Sequence, residues 1–198
     1  MRLVSISGAQ SCGKTSVLDA IKLKDLEDFY VDDFKAARVV LEKFGEPLTE
    51  IVKDAAKLIE FQTLVFDAKY EQDKALRSLT GSNLIVLVER SPIDVISFAL
   101  SWKFNTEMEN LEVYRDWVDT RYFQRCIDAH KELYDLMVYL PIGVFDHVDD
   151  GVRAKKNTQE KVDRLVSYLG YSNGAVHEVI GSSIQDRVDE IIDCLRSN

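Results

Sequence analysis

Apolar residues alternate along the chain between short unbroken runs and stripes at helical spacing. Arg2–Ser7 is a short run rich in β-branched residues that stops at Gly8, as a buried strand does. Lys14–Leu23 carries Val17, Leu18 and Ile21 at helical spacing behind Gly13. Phe29–Val31 is a second short strand ending at Asp32 and Asp33, and residues 34–44 form a helix with Ala37, Val40 and Leu41 on one face and Gly45 after it. From Pro47, the stripe Leu48, Ile51, Val52, Ala55, Leu58, Ile59, Phe61 and Val65 predicts one long helix towards Leu79, stopped by Thr80-Gly81-Ser82-Asn83. Residues 84–88 are unbroken apolar and belong at the centre of a sheet. They deliver Glu89-Arg90-Ser91, and Ser91 with Pro92 and Asp94 has the composition of a boxed helix cap.

The second half keeps the rhythm. Residues 102–136 read as helix in two pieces, the first capped by Thr106 and Glu109, the second starting at Asp119 or Thr120. Residues 136–140 are a strand ended by Pro141, and residues 146–156 are a polar, mobile loop carrying Arg153, Lys155 and Lys156. Residues 157–169 return to helix, closed by Gly170. Residues 175–180 form a weak last strand. Ser182 with Gln185 then caps a helix whose inner face carries Ile184, Val188, Ile191, Ile192 and Leu195. Strands alternating with helices predict an α/β fold, a parallel sheet covered on both faces. With no repeat, low-complexity tract or linker, residues 1–198 are expected to form a single domain.

Composition bounds the reading. A chain of 198 residues, 46% hydrophobic and 30% charged, is long enough for a core without disulfides or metal staples. No apolar run reaches the length of a membrane span, so no membrane partner is expected. MRLVSISGAQ lacks the apolar stretch and cleavage site of a secretory signal, so the expected setting is cytoplasm, the host's if the chain is viral. Cys12, Cys126 and Cys194 make no CxxC pair, and His130, His147 and His177 stand apart, which argues against a disulfide framework or zinc site. A net charge of −9 weighs against a broad nonspecific nucleic-acid face and leaves room for a local basic groove.

The chemistry concentrates at residues 8–15. Gly8-Ala9-Gln10-Ser11-Cys12-Gly13-Lys14-Thr15 matches G-x-x-x-x-G-K-[ST] at every specified position, after a predicted strand and opening a predicted helix. Its glycines let several N–H groups turn inward on phosphate oxygens, and the helix start, through Ser16, adds its dipole. Lys14 then reaches the β- and γ-phosphates and the Thr15 hydroxyl ligates Mg²⁺, so ATP and Mg²⁺ are the expected cofactors.

Other residues fall on ligand-facing strand ends. Glu89 can hold Mg²⁺ through water or take a proton from an attacking hydroxyl, and Arg90 can neutralise phosphate charge. Asp94 either orients Arg90 or caps its helix. Arg153, with Lys155 and Lys156, can close over a triphosphate as a lid. Asp32, Asp33, Lys35 and Arg38 follow the second strand, where Asp33 can bind a sugar hydroxyl or act as the base and Arg38 can bind an acceptor phosphate. Trp102, Phe104, Tyr114 and Trp117 are core candidates, one of which can instead stack on a base.

The glycine loop, Glu89-Arg90-Ser91, Tyr139-Leu140-Pro141 with Asp150-Gly151-Val152-Arg153, and Gly181-Ser182-Ser183 before Gln185-Asp186-Arg187-Val188 together resemble the NadR-like/thymidylate-kinase-like branch of P-loop kinases. The resemblance implies a three-layer sandwich of about five parallel strands in the order 2-3-1-4-5. It also implies helical substrate-side regions at about residues 34–80 and 102–135, and a lid at about 146–160 with Arg153 as its arginine. The loop after the last strand would lie near adenine. Where such kinases often carry Glu-x-x-Arg this chain has Lys35-Ala36-Ala37-Arg38, which keeps Arg38 and moves the acidic role to Asp32 or Asp33. Acceptors in the branch are nucleosides, nucleotides, nicotinamide riboside and, in phages, 5-hydroxymethyluracil within DNA, so DNA is a possible substrate. The expected activity is an ATP-dependent kinase acting on a nucleoside-like or nucleotide-like acceptor; the alternatives are a regulatory P-loop NTPase and a nucleotide-binding module without turnover. The oligomeric state is left open.

Overall fold

The apolar runs pair as five parallel strands, β1 (Arg2–Ser7), β2 (Phe29–Val31), β3 (Ile85–Glu89), β4 (Leu136–Tyr139) and β5 (Val176–Glu178), ordered β2-β3-β1-β4-β5. This is the order that the resemblance implies. The structure, a computed structural model, describes residues 1–79, 83–144 and 156–197. The stop at Thr80-Gly81-Ser82 and the basic segment with Arg153 and Lys155 therefore lie outside the described residues. The helices are α1 (Lys14–Leu23), α2 (Ala36–Phe44), α3 (Leu48–Ile51), α4 (Ala55–Arg77), α5 (Pro92–Trp102), α6 (Leu111–Trp117), α7 (Phe123–Leu133), α8 (Lys156–Asn173) and α9 (Ile184–Ser197).

Strand alternation builds three layers. Val4, Ile6, Leu87 and Val138 pack with Val17, Leu18 and Ile21 of α1 and Val188, Ile191 and Leu195 of α9. Leu3, Val86 and Val88 face the opposite side with Leu76 of α4 and Leu133 of α7. That side continues through α5 and α8, which cover Met137 and Tyr139. Among the described residues, no helix is long and apolar enough to cross a membrane.

Five local expectations are corrected. The stripe starting at Leu48 is two helices, because Asp54 takes an extended conformation and its carboxylate accepts from Ala56 N (2.8 Å) and Lys57 N (3.2 Å), a cap in mid-stripe. Thr106 and Glu109 do not cap the next helix. Glu109 is held in a bridge with Asp54, donating to Lys53 O at 2.7 Å, and α6 starts after Asn110. Nor does a cap at Asp119 or Thr120 restart the helix. The chain stays helical through a wide π turn at Val118–Tyr122, which stacks Tyr122 on Trp117 at 4.2 Å and lets its hydroxyl donate to Gln62 O at 2.7 Å. Gly170 lies inside α8, at the point where a Cβ would come 2.0 Å from Met137 Cε, so it serves close helix–strand packing rather than a cap. At α9 the box is Ser183 with Asp186, each backbone N–H meeting the other side chain at 3.1 Å, while Gln185 binds Asp189.

Of the aromatic group, Tyr114 is buried with its hydroxyl donating to Ala99 O (2.9 Å), Trp102 and Trp117 are half-buried against the same cluster, and Phe104 is exposed. The inner face of α4 also carries ions. Lys69 Nζ lies 2.7 Å from Asp73 Oδ1, both are buried, and Tyr134 Oη donates to Asp73 Oδ2. Burial pushes the Asp73 carboxyl up, against the pull of Lys69 and Tyr134. Lys69→Met leaves that carboxylate without its cation and is expected to cost about 3–5 kcal/mol. Urea unfolding measures it; a change within about 1 kcal/mol, the ordinary effect of a point mutation, contradicts the assignment.

Candidate functional site

Residues 8–15 join the end of β1 to the start of α1, with φ of +146° at Gly8, +59° at Ser11 and +93° at Gly13. Left-handed residues between right-handed ones curl the backbone so that successive N–H groups converge on one centre. The first-turn N–H groups of α1, at Lys14, Thr15 and Ser16, have no carbonyl partner within the helix and aim out of the same end. A Cβ on Gly8 would stand 2.5 Å from Leu140 O and 2.8 Å from Cys12 Sγ, so only glycine fits there.

A loop that turns its N–H groups inward sends its carbonyls into the protein, where each needs a donor. Gly8 O accepts from Arg90 Nη1 (3.3 Å), and Ala9 O accepts from Lys14 Nζ. Gln10 O accepts from Gln159 Nε2 (2.6 Å), Cys12 O from Arg187 Nη1 (2.7 Å) and Gly13 O from Val17 N (2.9 Å). The Gly8 N–H donates to Asp94 Oδ1 at 3.0 Å. The cradle is thus held from outside by α5, α8 and α9, leaving its centre to a ligand.

Parallel pairing of β3 with β1 puts Glu89 opposite Ile6, two residues before the loop. Thr15 Oγ1 donates to Glu89 Oε2 at 3.0 Å, and Lys35 Nζ stands 3.7 Å from the same oxygen. Burial pushes the Glu89 carboxyl up, but Arg90, Lys14, Lys35 and the Thr15 hydroxyl together outweigh it and hold it below the ordinary glutamate value. Two hard oxygen donors side by side at a phosphate cradle suit Mg²⁺, which takes a few protein oxygens and completes its shell with phosphate and water. The residues present therefore fit a Mg²⁺–nucleotide complex, with Thr15 and Glu89 as its protein side.

Arg90 takes a left-handed conformation (φ +68°), lies over the Phe98 ring at 4.9 Å and stands 3.7 Å from Asp94 Oδ1. Asp94 has both roles left open by its spacing. Its Oδ2 accepts from Ser91 N (2.8 Å), completing the helix cap, while Oδ1 holds Gly8 and faces Arg90. Across the loop, the Tyr139 hydroxyl bonds to Asp163, whose Oδ1 also accepts from Ile142 N at 3.3 Å. Burial raises the Asp163 carboxyl.

Gly8 through Ser16, Glu89 and Arg90 therefore come together at the carboxyl ends of β1 and β3. Asp33 does not join them. Its side chain is 66% exposed and pairs with Lys22 in a groove of about 540 Å³ between α1 and β2. Asp32 is buried and accepts from Gln72 Nε2 at 3.0 Å, and Arg38 is exposed on α2. Sequence reasoning missed Gln159, Asp163 and the role of Arg187. The available signal was a polar residue on an apolar stripe: Gln159 precedes Val162 and Val166, and Arg187 stands beside Val188 and Ile191.

A family profile described as AAA domain matches residues 3–187. Among solved structures, deoxyadenosine kinase from M. mycoides with products dCMP and dCDP is similar at a TM-score of 0.67 and 13% identity, over 99% of this chain and 100% of that one. The same enzyme with dATP gives 0.70 and 12%, over 99% and 100%. Thymidylate kinase from Candida albicans gives 0.69 and 15%, over 100% of this chain and 92% of that one. The chain thus has the fold of these P-loop nucleoside and nucleotide kinases. No curated protein matches it in sequence.

Proposed function

The chain belongs to the AAA-domain family, and from that premise we propose that it is an ATP-dependent kinase that transfers the γ-phosphoryl group to a nucleoside-type or nucleotide-type acceptor. The observation that carries this reading is the Thr15–Glu89 contact of 3.0 Å at the mouth of the phosphate cradle, with Arg90 braced beside it. A largely buried carboxylate held ionised there can receive a proton as well as hold a metal, which supports phosphoryl transfer to a hydroxyl.

Lys14 and the loop N–H groups hold the triphosphate and stabilise charge on its transferring end. Thr15 and Glu89 would hold Mg²⁺, which would supply charge neutralisation on the phosphates. An acceptor hydroxyl oxygen attacks the γ-phosphorus, its proton passes to a Glu89 oxygen, and the bond to the β–γ bridging oxygen breaks to release ADP. Where the acceptor group is a phosphate, no proton is abstracted and Glu89 acts on the metal side alone. Glu89 fits the base role better than Asp33, which is neutralised by Lys22.

Incubation with ATP and separate sets of nucleosides, nucleotides, nicotinamide riboside and 5-hydroxymethyluracil-containing DNA tests the proposal. ADP release that rises with one acceptor set is the expected result. Release indifferent to every acceptor identifies an NTPase instead, and binding with no release identifies a nucleotide-binding module.

A further inference from the structure

Arg187 is the bulkiest fully buried side chain among the described residues, and it stands on the apolar face of α9. A charge is taken out of water only where it meets strong partners. Its Nη1 donates to Cys12 O in the phosphate loop at 2.7 Å, and its Nε donates to Gly181 O, in the turn after β5, at 2.9 Å. One planar, rigid group thus sets the spacing of two loops, which a flexible ammonium cannot do. The turn is fixed at its N–H groups as well, because Glu190 accepts from Ile180 N (3.1 Å) and Gly181 N (3.0 Å). Gly181 has no spare room: a Cβ there would lie 2.7 Å from Arg187 N and 3.0 Å from Arg187 Cγ.

The sheet order gives this strap a direction. Glu89 and Arg90 stand on the β3 side of the phosphate loop, whereas β4 and β5 lie on the other side of β1. A triphosphate with its γ end at Glu89 sends its nucleoside end towards β5, where the turn at residues 180–182 waits. We propose that Arg187 is a positioning residue that holds this turn in register with the phosphate loop, so that the base end and the triphosphate of one nucleotide are bound as a unit. The inference rests on the nucleotide-binding reading above.

Calorimetric titration of Mg²⁺-ATP and Mg²⁺-tripolyphosphate into the wild-type chain, Arg187→Met and Gly181→Ala tests it. Both variants are expected to lose about tenfold or more in ATP affinity, the scale of a lost hydrogen bond from a charged donor. Tripolyphosphate, which has no base end, is expected to stay within about threefold in Gly181→Ala, under half the free energy of a tenfold change, and to lose less than ATP in Arg187→Met, where the brace on Cys12 O goes as well. Gly181→Ala keeps the guanidinium and every phosphate-loop residue, so it decides the matter if Arg187→Met does not fold. An equal loss for both ligands, or no loss for either, overturns the inference while leaving nucleotide binding intact. A wild-type chain that binds neither ligand overturns the nucleotide-binding reading and this inference with it.

Discussion

Lys14→Ala is expected to reduce phosphoryl transfer by about a thousandfold or more, the scale on which a positioned cation acts on transferring phosphate. Lys14 is 4% exposed, tucked into the loop with its ammonium on Ala9 O and 3.4 Å from Cys12 Sγ. Among the described residues Lys14 makes no ion pair within 4.0 Å, although its charge acts on Glu89 and Asp163, and a bound phosphate would complete its neutralisation. Removing it leaves one carbonyl without its donor, worth about 1 kcal/mol, or roughly 2–4 °C of melting temperature in a chain of this size. Melting followed by circular dichroism, beside ADP release with the responsive acceptor, separates the two effects. Transfer near the wild-type rate in a folded variant would remove the loop from the chemistry.

Glu89→Gln is expected to slow transfer to a hydroxyl acceptor by about a hundred- to ten-thousandfold, the range for loss of a general base. The change keeps the shape and the contact with Thr15 while removing the charge. Because Arg90, Lys14, Lys35 and Thr15 together overcome the effect of burial, the carboxylate stays ionised down to and below the ordinary glutamate value of 4.5. The sign follows: a lowered carboxylate is in its active form at all higher pH, so the rate loss that Glu89 causes on acidification lies below that value. A wild-type rate that falls from pH 7 to 5.5, with a parallel fall in Glu89→Gln, assigns the titration to another group.

The two expectations differ in how openly the sequence announced them. The phosphate loop is local: its glycines, its lysine and the helix it opens are contiguous, and Gly8 to Thr15 stand as their spacing implies. The strands were legible for the same reason, since β1 is a short run rich in β-branched residues stopped by Gly8 and β3 an unbroken apolar run stopped by Glu89-Arg90. What holds the loop in place is not local. Gln159, Arg187 and Asp94 reach it from residues far along the chain, and only folding makes them neighbours. Their trace in the sequence is indirect: a polar residue where an apolar stripe calls for a hydrophobic one. Lys69 and Asp73 follow the same rule, continuing the spacing of Phe61 and Val65 along α4. The break at Asp54 and the π turn at Tyr122 escaped because tertiary contacts, to Glu109 and to Gln62, decide them.

Asp33 shows the converse. Its place after β2 made it a candidate base, yet its side chain turns outward to Lys22, while the neighbouring Asp32 is buried against Gln72. Lys35, two residues on, reaches Glu89 instead.

The central claim is that the γ-phosphoryl group leaves ATP for an acceptor molecule. ATP labelled at the γ-phosphorus, incubated with the chain, Mg²⁺ and the acceptor that raises ADP release, follows that group directly. The label should appear in a phosphoester of the acceptor, in step with ADP and not without acceptor. Label found only as inorganic phosphate, at a rate no acceptor changes, would contradict the account.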